Sequence, residues 1–318
     1  MASELKDLRQ RLVDRLSATV EQKISSIGYV PEDLVRIAGS GVPAEPSHDE
    51  VYKAPEDLKE AINEHYDFSF YARETIWADM LAGTHFRNIG YWDANTESLD
   101  QAGRNLQDQL LALLPQKTGR ILDVACGMGA STKRLLDTYR PEDVWAINIS
   151  AKQIETTSQN APGCNAQVMS ATEMTFEDNF FDAVECIEAA FHFDTRRKFL
   201  EDTLRILKPG GRLVMSDVLM TSGARLEQYP VFPNPENHIA TIEDYKSVLE
   251  EIGYENITIS DERNNIWKSH FMATTNRIHE GFLARKYNIV EVTDMIWTYY
   301  ELDAITGPCP ILGASKPR

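Results

Sequence analysis

Apolar residues recur in steps of three and four at Leu5, Leu8, Leu12, Leu16, Val20, Ile24 and Ile27, with charges between them. That spacing predicts an amphipathic helix over 4–28, whose long stripe needs a partner surface in its own domain, a second subunit or a pocket it closes. A short helical segment follows near Pro31–Ala38, and "GSGVPAEPSHDE" reads as a linker. From Pro55 to about Leu114 the helical period returns, interrupted by "GTHFRNIGYWD". Beyond it the period changes. Short β-rich runs ("RILDVA", "DVWAIN", "AQVM", "FDAVECI", "GRLVMSDV") alternate with helical ones ("STKRLLDTYR", "AKQIETTSQ", "RRKFLEDTLRIL").

Strand, helix and strand in repetition call for a parallel sheet with helices on both faces. "EDYKSVLEEIGYENITIS" adds a helix and a sixth strand, a helical block spans about 264–304, and "PCPILGASK" supplies a last strand. The expectation is a doubly wound, mostly parallel α/β fold of seven strands. Its parts are a helical extension over 1–54, lid helices over 55–114, a core over 115–263, a helical cap over 264–304 and a closing strand over 305–318.

Composition narrows the partners. The 318 residues carry a formal net charge of −17, which repels polyanions and so argues against nucleic acid and anionic membranes. No apolar stretch approaches the ~20 residues that span a bilayer. The start, "MASELKDLRQRLVDRL", lacks the apolar core of a signal peptide. Cys126, Cys164, Cys186 and Cys309 are scattered without C-x-x-C spacing, which suits free thiols in a reducing cytoplasm and no metal site.

The chemistry centres on "ILDVACGMGA", residues 121–130, the first strand-to-helix turn of the core. In a doubly wound sheet this turn does most of the ligand holding. No P-loop run G-x-x-x-x-G-K-[ST] occurs, and the third glycine of a dinucleotide fingerprint is replaced by Thr132. Asp123, just before the turn, repels a pyrophosphate and attracts a cationic ligand. S-adenosylmethionine, with an ammonium and a sulfonium, meets that description.

The run resembles motif I of the class I S-adenosylmethionine-dependent methyltransferases, an acidic residue followed by G-x-G-x-G, with Ala125 at the first glycine. Asn148 in "WAINISAKQ" stands where the family usually has an acidic ribose ligand. "SATEMTFEDNFFDAVECIEAAFHF" resembles the family's next segment and fourth strand, with Ser170 where an aspartate commonly meets adenine. "RILKPGGRLVMSD" matches the turn and fifth strand. The resemblance covers about 90–218 and implies a Rossmann-like methyltransferase fold. It implies a cofactor held by Asp123, Ala125, Cys126, Gly127 and Gly129, with ribose near Asn148, Ile149 and Gln153. Adenine falls near Ser170, Ala171 and Thr172, and Ile187 lies beside the cofactor. Cys126 reads as a small loop residue rather than a nucleophile.

"NIGYW", "IEAAFHF" and "LGASKPR" resemble the small-molecule branch, nearest to O-methyltransferases of sugars on macrolide and indolocarbazole natural products. In that branch the matching histidine and aspartate are the base and its holder, which implies these roles for His192 and Asp217. Phe191 replaces the first residue of a histidine pair seen in some relatives. His192, just beyond the fourth strand, and Asp217, ending the fifth, lie on neighbouring strands ~4.8 Å apart, so both reach the carboxyl edge. His192 also reads as a packed ring in "FHF". Glu188 sits where isoprenoid C-methyltransferases carry a basic glutamate. The aromatics Trp267, His270, Phe271, Phe282, Trp297, Tyr299 and Tyr300 read as core of the cap, some lining an apolar pocket. Three readings follow: methylation of a hydroxyl on a small natural-product-like acceptor, C-methylation of an isoprenoid, and a non-catalytic ligand-binding protein. A homo-oligomer joined through the N-terminal helix is a further expectation.

Overall fold

The computed structural model describes residues 58–71, 79, 81, 83–221 and 237–318. The helices expected over 4–28 and 31–38 lie outside the described residues. Among the described residues, two helices precede the sheet, α1 (Leu58–Tyr71) and α2 (Leu99–Ala112). The core then runs β1 (Ile121–Val124), α3 (Ala130–Leu135), β2 (Val144–Asn148), α4 (Ala151–Asn160), β3 (Asn165–Val168), β4 (Phe181–Ile187), α5 (Arg196–Ile206) and β5 (Leu207–Ser216). After it come α6 (Ile242–Ile252), β6 (Glu255–Asp261), α7 (Ser269–Leu283), α8 (Ile289–Ile305) and β7 (Pro310–Ser315).

The sheet has seven strands in the order β3-β2-β1-β4-β5-β7-β6. Strands β1 to β5 pair in parallel, whereas β7 runs antiparallel between β5 and β6. Strand order reverses between β1 and β4, which makes their carboxyl ends the crevice for a ligand.

Each central strand is buried on both faces, so side-chain alternation decides which layer a residue joins. Leu122 and Val124 of β1 pack with Val184, Leu213 and Met215 against Phe199 and Leu200 of α5 and Tyr245 and Leu249 of α6. Ile121, Ala183 and Val214 face the other way, against Leu106 and Leu110 of α2, Leu135 of α3 and Tyr299 of α8. Asp123 shares the face of Ile121 by the same alternation. The helices start on side-chain caps: Ser98, Ser150, Thr195 and Thr241 accept from backbone amides of the first turns of α2, α4, α5 and α6. A capping box between Asn288 and Glu291 starts α8. Among the described residues no helix is long and apolar enough to cross a membrane.

Candidate active site

At the end of β1 the chain turns through Ala125–Gly129 into α3, with Ala125 (φ 59°), Gly127 (55°) and Gly129 (79°) in the left-handed region. A Cβ on Gly129 would stand 2.8 Å from the Thr157 Cα, so glycine lets the turn lie against α4. Gly127 differs, because a Cβ there would meet only the edge of Phe70, 4.0 Å away. The room beside Gly127 is room for a ligand. Ala125 holds its conformation at a cost of about 1–2 kcal/mol, which glycine would not incur.

Asp123 is 1% exposed, and its Oδ2 accepts from Ser131 Oγ at 2.7 Å and Thr132 Oγ1 at 2.6 Å. These hydrogen bonds through Oδ2 tie the start of α3 to β1 from beneath. Across the ladder Asp123 is the register partner of Glu185, and burial pushes Asp123 up to about 6 and Glu185 well above its usual value. Gln107 of α2 donates to Glu185 Oε1 at 2.9 Å. Thr132, at the position of the missing third glycine, is used by this anchor. Cys126 lies 3.6 Å from Thr157 Oγ1, and burial pushes its thiol up, so it is no nucleophile.

A cavity of about 500 Å³ opens beside the ends of β2 and β3, lined by Ile149, Met169 and Ser170 on the sheet side and by Lys59, Asn63 and Glu64 of α1. Asn148 Oδ1 accepts from Ser150 N and its Nδ2 donates to Gln153 Oε1 at 3.1 Å. Gln153 Nε2 and Ser150 Oγ both donate to Asp67 Oδ1 of α1, each at 3.0 Å. Ser170 accepts from the Thr172 amide, capping its own turn at the cavity wall. Ala171 sends its side chain into the core, which leaves only its backbone for a ligand. Ile187 ends β4 half-buried, in the layer of Phe191 and Phe271.

His192 closes a single helical turn after β4 and is 7% exposed. Its Nε2 is hydrogen-bonded to the Tyr66 hydroxyl of α1, and the two rings meet edge to face at 5.1 Å. Asp217 does not hold this imidazole. Its carboxylate accepts from Arg196 Nε at 2.7 Å, Arg196 Nη2 at 3.3 Å, Tyr245 Oη at 3.0 Å and the Val218 amide at 2.8 Å. Arg196, 4% exposed at the start of α5, is a buried cation that takes this carboxylate first. Glu188 follows β4 at φ 48°, a strained conformation for glutamate. Its Oε2 accepts from the Ile89 amide at 2.5 Å, and burial pushes its carboxyl up to about 8.

The segment before α2 also joins the C-terminal helices: Trp92 N donates to Asn265 O at 2.7 Å, and Asn265 Nδ2 donates to Tyr91 Oη at 2.6 Å. Beneath, Trp267 stacks at 6.2 Å on Tyr299, whose hydroxyl lies 3.1 Å from His270 Nε2. These rings are core, and burial lowers His270 to about 4. Phe282 and Tyr300 pack on Ile278, Val292 and Ile296 between α7 and α8, Phe271 meets Tyr300 edge to face, and Trp297 is half-buried on α8.

A methyltransferase-domain family matches residues 122–215. The chain is 30% identical to 27-O-demethylrifamycin SV methyltransferase of Amycolatopsis mediterranei over 193 residues, 56% of this chain and 71% of that one. The chain belongs to the S-adenosylmethionine-dependent methyltransferases. This methyltransferase is also 27% identical to the erythromycin 3''-O-methyltransferase of Saccharopolyspora erythraea over 203 residues, 56% of this chain and 65% of that one. The structure of geranyl diphosphate C-methyltransferase from Streptomyces coelicolor, with Mg2+, geranyl diphosphate and S-adenosyl-L-homocysteine, shares its fold. There the TM-score is 0.60 at 16% identity, over 83% of this chain and 99% of that one. The methyltransferase acts on a small molecule with S-adenosylmethionine as cofactor, and the space at Gly127 and the cavity beside Ser170 fit that cofactor.

Tyr66, Asp67 and Arg196 carry contacts that motif reading missed. Nothing local in the sequence pairs Tyr66 with a histidine 126 residues later. Arg196 was open to inference, since a buried aspartate at a strand end needs a cation or several donors.

Proposed function

We propose that the methyltransferase methylates a hydroxyl of a natural-product-like small molecule, with His192 as the base that takes the hydroxyl proton. The observation that carries this is a buried imidazole at the carboxyl end of β4, hydrogen-bonded from the covering helix. When bound, S-adenosylmethionine supplies a methyl group on a sulfonium, which departs as a neutral thioether. Ser170 and the Ala171 and Thr172 backbone would hold its adenine, Asn148, Ile149 and Gln153 its ribose, and Ala125–Gly129 with Ile187 its sulfur end. Asp123 acts on that turn through Ser131 and Thr132.

Orientation does much of the work in an in-line displacement, and well-aligned reactants reach effective molarities of ~10⁵–10⁸ M. Proton removal by His192 adds roughly 10²–10⁴-fold for a weak hydroxyl nucleophile. Tyr66 is the positioning residue for this ring. Burial and the Glu188 carboxyl raise its hydroxyl well above the usual value, so it stays protonated and does not compete as a base. Asp217 shapes the site through Arg196. Residues 55–114 act as a lid and 264–304 as a substrate cap, and the enzyme works in the cytoplasm.

A second reading, C-methylation of an isoprenoid, is favoured by Glu188, whose Oε1 is buried without a partner. The test offers the full chain labelled S-adenosylmethionine with glycosylated polyketides or with prenyl diphosphates and Mg2+. Transfer to a hydroxyl that is lost in His192→Ala supports the proposal. Transfer to prenyl carbon that is lost only in Glu188→Gln overturns it.

A further inference from the structure

The proposed base stands on a single helical turn, Ala190–His192, closed by bonds from His192 N to Ala189 O at 3.0 Å and from Phe193 N to Ala190 O at 3.1 Å. One turn of helix is too short to hold its place by itself. What fixes it must pack and bond on it from outside. Ala190 is sealed in the core, and Asn237 takes the carbonyls. Asn237, 4% exposed and just before α6, sends its Nδ2 to Ala190 O at 3.3 Å and to Phe191 O at 3.4 Å.

The other end of the same carboxamide is also used. Its Oδ1 accepts from the Arg196 amide, at the start of α5, a donor that no carbonyl of the helix can satisfy. Asn237 O accepts from Arg196 Nη1 at 2.6 Å, and the same guanidinium is bonded to Asp217. Asn237 is thereby seated on Arg196 through both its side chain and its backbone. Among side chains of this length, only a carboxamide offers two hydrogens and an acceptor from one planar group. A carboxylate keeps the acceptor but has no hydrogens for the turn, and an aliphatic side chain keeps neither.

We infer that Asn237 is a second positioning residue for His192, holding the turn that carries the imidazole against the start of α5. The inference rests on His192 as the base. Tyr66 meets the ring itself at Nε2, whereas Asn237 sets where the backbone beneath the ring stands. In a displacement that depends on alignment, a shift of about 1 Å in a reacting group costs up to ~10²-fold. A residue one layer behind the base can therefore govern turnover.

Asn237→Asp in the full chain tests this, since it keeps size and shape and removes the hydrogens that reach the turn. The Arg196 guanidinium, bonded to the carbonyl of the same residue, offsets the added charge. In the transfer assay with glycosylated polyketides, kcat should fall ~10–100-fold, while KM for the acceptor and calorimetric affinity for S-adenosylhomocysteine stay within about twofold. In a His192→Ala background the same change should alter the residual rate by less than about twofold, because the ring it positions is gone. Imidazole nitrogen NMR reads the placement without turnover. The His192 signal, assigned by its loss in His192→Ala, should move in Asn237→Asp, while that of His270 in the cap stays. A wild-type kcat, an unmoved His192 signal, or an equal loss with and without His192 overturns the inference. Wild-type turnover in His192→Ala overturns the reading of the base instead. If Asn237→Asp fails to fold, the same results are required of Asn237→Ala.

Discussion

The turn from β1 into α3 is tied to residues eight and nine positions away, through Asp123 with Ser131 and Thr132. Helix α1, which lines the cavity beside β2 and β3, is tied to residues 81 to 126 positions away, through Tyr71 with Lys152 and Tyr66 with His192. One wall is a local construction that a short motif can encode. The other exists only once the sheet has formed. Under the proposed roles, the sulfur end of the cofactor belongs to the local wall and the base to the distant one.

The sharpest break in that comparison concerns Asp217. Arg196→Met leaves a buried carboxylate without its cation, which should cost about 3–5 kcal/mol and lower Tm by roughly 10 °C in thermal unfolding. Asp217→Asn should behave as a stability variant too. If it keeps full stability and loses turnover, Asp217 serves His192 after all and the distant wall has been misassigned.

Next in size is the base. His192→Ala should lower kcat by at least ~10²-fold with unchanged calorimetric affinity for S-adenosylhomocysteine. Tyr66→Phe should lower it by about tenfold, and the double variant should cost little more than His192→Ala alone, because the pair acts as a unit. Fully additive losses would separate Tyr66 from His192.

A smaller effect is a pH slope. Glu188 titrates near 8 in the folded chain, against about 4.5 when free. The folded state then holds a proton that the unfolded state releases, so stability present below about 4.5 is lost as pH rises through 8. Asp123, raised to about 6, acts in the same direction. Denaturant titrations of the unliganded chain at pH 5 and pH 8 should show a smaller decline in Glu188→Gln than in the wild type. An identical decline would mean that Glu188 is not the buried acid described.

The smallest effect lies in the local wall. Ala125→Gly should stabilise by about 0.5–1 kcal/mol, the left-handed cost removed less the extra freedom of an unfolded glycine. A Tm lowered by this change would show that the methyl group of Ala125 contributes more than its conformation costs.

Much of the fold was legible. Strand and helix periods differ, and the order of β1 to β5 with a sixth and a last strand follows from them. The glycine turn was legible because a backbone that must approach a ligand admits few residue types. The role of Asp123 as an anchor was not legible: an acid before a glycine turn reads as a ligand, and only side-chain alternation shows that it reaches Ser131 and Thr132 under α3. His192 and Asp217 were rightly placed on neighbouring strands, but adjacency of strands does not assign partners. A buried Arg196 outcompetes an imidazole for a carboxylate, and although a buried Asp217 calls for such a cation, a single sequence does not say which arginine supplies it.

Helix α1 touches the cavity wall at Ile149, Ser150 and Gln153 and, through Tyr66, the imidazole of His192. One helix therefore bounds the cavity and holds the imidazole proposed as the base. Under that proposal a single change that loosens α1 alters cofactor exchange and proton removal together.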